Sequence, residues 1–154
     1  MAPPLFTIGY EGATPDALVA ALRAAGVTRL VDVRELPNSR RPGFAKRALS
    51  AALEAAGIAY DHARALGTPA EGRAAAKAGR TAEMQRIFAA RLAGTEAQAA
   101  LAQLAGQARA ERVCLLCLEA DPMRCHRRLV AEAVAASDEF VIAHLHPQGM
   151  LPRS

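Results

Sequence analysis

Residues 5–33 read LFTIGYEGATPDALVAALRAAGVTRLVDV, two short apolar runs separated by an amphipathic stretch. The first run, Leu5 to Gly9, is closed by a glycine. Thr14 can then cap a helix, Pro15 suits its first position, and Gly26 stops it. Arg29 to Val33 form the second run. A strand, a helix and a strand in so short a span predict two parallel strands joined by a crossover helix.

The pattern repeats outward from there. KRALSAALEAAG, ending at Gly57, predicts a second helix, and IAYDH from Ile58 a third, weaker strand. From Thr68 to Ala110 the chain is alanine-rich and helical in pattern, with Gly72, Gly79, Gly94 and Gly106 as breaks, so two or three helices are expected. ERVCLLCLE, from Glu111, is the most apolar strand candidate, CHRRLVAEAVAA is a helix behind it, and EFVIAHL, Glu139 to Leu145, is the last strand. The closing PQGMLPRS reads as a loose end. The prediction is one α/β domain over residues 1–154: a small Rossmann-like, mostly parallel five-stranded sheet with helices on both faces.

Composition narrows the function classes. With 154 residues, 52% of them hydrophobic, the chain can bury a core, but no run approaches the roughly 20 apolar residues of a membrane span. MAPPLFTIGY has neither the basic start nor the continuous apolar stretch of a secretory signal, which points to a cytoplasmic address. Three cysteines are too few for a disulfide scaffold. A net charge of +4 favours an anionic partner, a small molecule or a nucleic acid, and the cations are nearly all arginine. The absence of tryptophan argues against a stacking platform for single strands.

In open parallel sheets ligands bind outside the carboxyl ends of the strands. The chemistry of this chain falls there: Tyr10, Glu11 and Gly12 follow the first strand, Arg34 to Arg41 the second, Cys117 to His126 the fourth, and His144 and His146 end or follow the fifth. The loop RELPNSRRPGFAKR sets Arg34, Arg40, Arg41, Lys46 and Arg47 against a single acid, Glu35, and is stiffened by Pro37, Pro42 and Gly43. Its arginine forks and the helix start behind it predict a phosphate clamp that includes Ser39. Asp32, inside an apolar strand, requires a partner, and Arg34 shares its strand parity.

Cys114 and Cys117 lie three apart on a strand and point to opposite faces, so their Cys-x-x-Cys spacing does not make a metal site, and Cys114 reads as core. Cys125, near a helix start among Arg124, Arg127 and Arg128, is the candidate for a lowered thiol pKa. His126 precedes Leu129 by three and Val130 by four, and leans toward the buried face of its helix. Glu119 is the candidate general base, and Asp121 before Pro122 a helix N-cap. A metal or redox site of Cys117, Cys125 and His126 lacks an obvious fourth ligand.

TIGYEG, LVDVRELPNSRRPGFAKRAL and LLCLEADPMRCHRRLVAEAV, in that order and spacing, closely resemble the family of domain of unknown function 488, from Thr7 to about His146. The resemblance implies a small α/β fold and brings no substrate with it. It marks Tyr10, Asp32, Arg34, Pro37, Ser39, Arg40, Gly43, Phe44, Lys46, Cys117, Glu119, Cys125, His126 and Arg127. LVDVRE also looks like the strand before the first active-site loop of rhodanese sulfurtransferases, which would make Cys117 a nucleophile. Against that, Glu119 and Asp121 beside the thiol would raise its pKa and repel thiosulfate.

The resulting expectation is an enzyme acting on a phosphate-bearing substrate, a nucleotide or nucleic-acid end. Arg34, Ser39, Arg40, Arg41, Lys46 and Arg127 would bind the anion, Glu119 or His126 would transfer a proton, Tyr10 and Asp32 would orient, and Cys125 would contact the substrate. No resident cofactor or metal is assigned. The rivals are a binding module using the same basic edge without turnover, and the sulfurtransferase or thiol and metal redox readings.

Overall fold

The computed structural model describes residues 2–137 and 139–147. Their strands are β1 (Pro4–Gly9), β2 (Arg29–Asp32), β3 (Ala59–His62), β4 (Val113–Cys117) and β5 (Val141–Leu145). Six helices accompany them among the described residues: α1 (Pro15–Ala24), α2 (Lys46–Ala55), α3 (Ala70–Lys77), α4 (Thr81–Leu92), α5 (Thr95–Ala110) and α6 (His126–Ser137). Every strand pairing is parallel, and the order is β3-β2-β4-β1-β5, the Rossmann-like α/β sheet that the sequence predicts, parallel throughout.

Local signals account for most boundaries. Thr14 Oγ1 accepts from Ala17 N at 3.1 Å and Pro15 opens α1. Gly79, with φ of +79°, separates α3 from α4 in a conformation that glycine adopts without strain. Gly72 and Gly106 do not break the chain: they lie inside α3 and α5, since one glycine costs a packed helix only ~1 kcal/mol. Glu139 and Phe140 fall outside β5, and of the expected loose end all but Pro147 lies outside the described residues.

Alternation along β4 sets up the two faces. Cys114 and Leu116 pack with Leu18 and Leu22 of α1 and Leu49 and Leu53 of α2. Val113, Leu115 and Cys117 pack with Leu104 of α5 and Val130 and Val134 of α6. The chain therefore leaves β1 and β2 toward one face and leaves β4 toward the other. A crevice opens between those diverging loops, at the carboxyl end of β4.

Candidate active site

Gly9 ends β1 where the loop from β4 to α6 crosses it. A Cβ there would stand 1.8 Å from the carbonyl oxygen of Glu119, so only glycine allows the crossing. The two loops are then laced together: Tyr10 N donates to Cys117 O at 3.2 Å, Glu11 N to Leu118 O at 2.8 Å, and Ala120 N to the Glu11 carboxylate at 3.1 Å.

Beside them Asp32, fully buried at the end of β2, accepts four hydrogen bonds. Arg34 gives three, from its backbone N at 3.1 Å, Nε at 2.9 Å and Nη2 at 2.7 Å, and the Tyr60 hydroxyl gives the fourth at 2.6 Å. Burial alone would lower the Arg34 pKa, but the fork on Asp32 raises it, so the guanidinium stays charged. Burial and the bond to Asp32 likewise push the Tyr60 hydroxyl up and keep it a donor. Arg34 Nη1 reaches Phe44 O at 2.8 Å and the Tyr10 hydroxyl at 3.2 Å, and Tyr10 stacks on Phe44 with ring centroids 4.5 Å apart.

On the opposite side of β4 three donor groups converge. His126 opens α6, its ring edge-on to Phe88 of α4, and its Nε2 lies 2.6 Å from Val33 O. A carbonyl only accepts, so Nε2 carries a proton, while Nδ1 faces Cys117 Sγ at 3.5 Å. The sulfurs of Cys117 and Cys125 and a ring nitrogen of His126 lie within 4.8 Å of one another, all buried. Burial opposes a charge on Cys125, but hydrogen bonds from Cys117 and His126 and the nearby Arg127 hold its thiol well below the ordinary range. Cys117, which is hydrogen-bonded to the Cys125 sulfur and buried, is pushed well above it. His126 is raised despite its burial, because Cys125 and the Val33 carbonyl stabilise the imidazolium. Cys114, on the other face, is pushed up past the ordinary range by burial.

A cavity of about 490 Å³ opens over this floor. Tyr10, Arg34, Cys117, Glu119 and His126 line its base, and Arg73, Lys77 and Arg124 bring positive charge to its wall. Lys77 and Arg124 are exposed and form no ion pair with the described residues. Glu119, with Oε2 3.9 Å from Cys117 Sγ, is pushed up to about 7 by its burial and by the charge of Cys125. Glu35, the one other acid of the lining, is answered by Arg91, by Arg64 at 3.3 Å and by Arg73 at 3.9 Å.

The structure thus brings Tyr10, Arg34, Glu119 and His126 to one cavity, with Asp32 holding Arg34 from behind and Cys125 under the floor. Ser39, Arg40, Arg41 and Lys46 do not line it. Ser39 Oγ accepts from Arg41 N at 3.1 Å, and the Arg41 guanidinium holds the carbonyls of Tyr10, at 3.0 Å, and Ala13. Arg127 is fully buried and binds the carbonyls of Glu119 and, at 3.3 Å, Ala120, so its charge reaches the thiols from beneath the loop. Asp121 does not cap α6; it accepts from Met123 N at 2.9 Å and caps the short 3-10 turn Pro122–Arg124 that intervenes. His144 lies inside β5 against Thr7, away from the cavity lining.

Arg73, Lys77, Thr68 and Thr81 were not singled out by the sequence, because the alanine-rich segment gives no reason to fold over the sheet edge. One signal was present: Arg73 and Lys77 are four apart and share a helix face opposite the buried Gly72 and Ala75.

A family model described as a domain of unknown function, DUF488, matches residues 14–134. No curated protein and no solved structure matches the chain.

Proposed function

The chain belongs to the DUF488 family, whose description names no reaction, and we propose from the geometry of its site that it is an enzyme acting on a phosphate-bearing substrate, a nucleotide or nucleic-acid fragment. One observation supports this above the rest: a single cavity joins the cations Arg73, Lys77 and Arg124 to the half-buried carboxyl group of Glu119. Arg73, Lys77 and Arg124 would hold the phosphate by charge-assisted hydrogen bonds. Glu119 is the proton-transfer group, since a carboxyl held at the cavity's base stands within reach of a substrate bound there. Asp32, Tyr60 and Tyr10 are positioning residues that fix Arg34. The Glu119 carboxylate, with Oε2 3.9 Å from Cys117 Sγ, disfavours the sulfurtransferase reading, since its negative charge would repel an anionic sulfur donor at that thiol.

Calorimetric titration with nucleoside mono-, di- and triphosphates, followed by assay of phosphate-ester turnover, tests this. The expected result is binding weakened about 10–100-fold for each of Arg73→Ala and Lys77→Ala, the range for a lost hydrogen bond to a charged group, while Arg40→Ala binds as the parent does. Glu119→Gln should bind without turnover. No affinity across the panel overturns the proposal, and affinity without turnover by the parent chain returns the protein to a binding module.

A further inference from the structure

We propose that Cys117, Cys125 and His126 form a site for one zinc ion with its fourth coordination position open to the cavity. The donor set is the first reason: two sulfurs and an imidazole nitrogen are the ligands zinc prefers, and a three-ligand set with one open position is the arrangement of catalytic zinc. Distance is the second. Tetrahedral zinc with bonds of ~2.3 Å to sulfur and ~2.0 Å to nitrogen separates those two atoms by ~3.5 Å. Cys117 Sγ and His126 Nδ1 stand 3.5 Å apart, and all three donor atoms lie within 4.8 Å.

The surroundings provide the third reason. Zinc-bound histidines commonly donate their remote N–H to a carbonyl or carboxylate, which fixes the ring and the tautomer. His126 does this already, with Nε2 2.6 Å from Val33 O, and the edge of Phe88 holds the ring from α4. Cys117 and His126 line the cavity whereas Cys125 lies beneath it, so the uncovered side of the triad faces the cavity. The Glu119 carboxylate, 3.9 Å from Cys117 Sγ, stands beside that side. There it can accept a hydrogen bond from a water on the metal while remaining outside the ligand set. The 3-10 turn capped by Asp121 folds the loop between Cys117 and Cys125 back so that the two sulfurs meet.

The test uses the reduced chain, stripped of metal with a chelator and titrated first with cobalt(II) and then with zinc(II). The expected outcome is one cobalt per chain, with a near-ultraviolet thiolate-to-cobalt charge-transfer band that one equivalent of zinc removes. Cys114→Ala should keep the full band. Cys117→Ser and Cys125→Ser should each lose part of it and weaken affinity by more than the ~10–100-fold that loss of an outer partner costs. Zinc should also protect Cys117 and Cys125 of the parent chain from alkylation, a readout that no variant's folding can disturb. Failure of the parent chain to take up cobalt, a cobalt spectrum without thiolate character, or ready oxidation to a Cys117–Cys125 disulfide with no metal uptake by the reduced form overturns the proposal. The phosphate panel does not enter this readout, so loss of that reading would leave the metal site standing, and the converse holds.

Discussion

Asp32 shows how one residue can be costly alone and stabilising in company. A bare carboxylate at the end of a buried strand would be expelled or neutralised, yet here every approach is a donor: three from Arg34 and one from Tyr60. The pairing is legible in the sequence through strand parity, but the Tyr60 bond is not, because it depends on β3 lying beside β2. Asp32→Asn would leave the Arg34 guanidinium buried with its counter-charge gone, and is expected to cost about 3–5 kcal/mol. Tyr60→Phe removes one hydrogen bond to the charged carboxylate and leaves the Arg34 fork in place, and should cost about 1.5–3 kcal/mol. Urea denaturation of both variants checks the order; equal losses would mean that the charge on Asp32 is not what holds Arg34.

At the scale of elements, Glu35 ties the loop after β2 to the helical segment that walls the cavity. Its carboxylate meets Arg91 of α4, Arg73 of α3 and Arg64 of the turn after β3, and Gly67 lies so close that a Cβ there would stand 2.4 Å from Glu35 Cα. Burial would raise the Glu35 pKa, but Arg91 and Arg64 hold it below the usual carboxylate range. The sign follows from the depressed folded value. The stabilisation is complete above the unfolded pKa of ~4.3 and is lost as pH falls through the folded one. Glu35→Gln should therefore cost about 1–2 kcal/mol at neutral pH, the range for hydrogen bonds to charged groups discounted for the exposure of Arg64. The gap between parent and variant should close on acidification below about pH 4, as followed by thermal melts across a pH series. A gap that stays constant down to low pH would show that Glu35 acts by packing rather than by charge.

Taken as a whole molecule, the sheet and its helices were legible because each element is short and locally punctuated: Thr14 and Pro15 start α1, Gly57 ends α2, and the run through Val113–Cys117 admits no other reading. The convergence of Tyr10, Arg34 and His126 followed from topology, since parallel strands send their loops to one edge. What could not be read was which charges line the cavity. Arg41 and Arg127 satisfy carbonyls instead, a use of arginine that composition does not distinguish from anion binding. Arg73 and Lys77 reach the cavity only because α3 and α4 fold back over the end of β4, a long-range contact with no local signature.

The role of that cavity is tested most directly by recording backbone amide NMR shifts of the labelled chain during titration with a nucleoside diphosphate. The expected result is saturable shifts at Arg73, Lys77, Glu119 and Arg124, with Arg40 and Lys46 unmoved. Shifts confined to the loop from Ser39 to Arg47, or none at millimolar ligand, would contradict it.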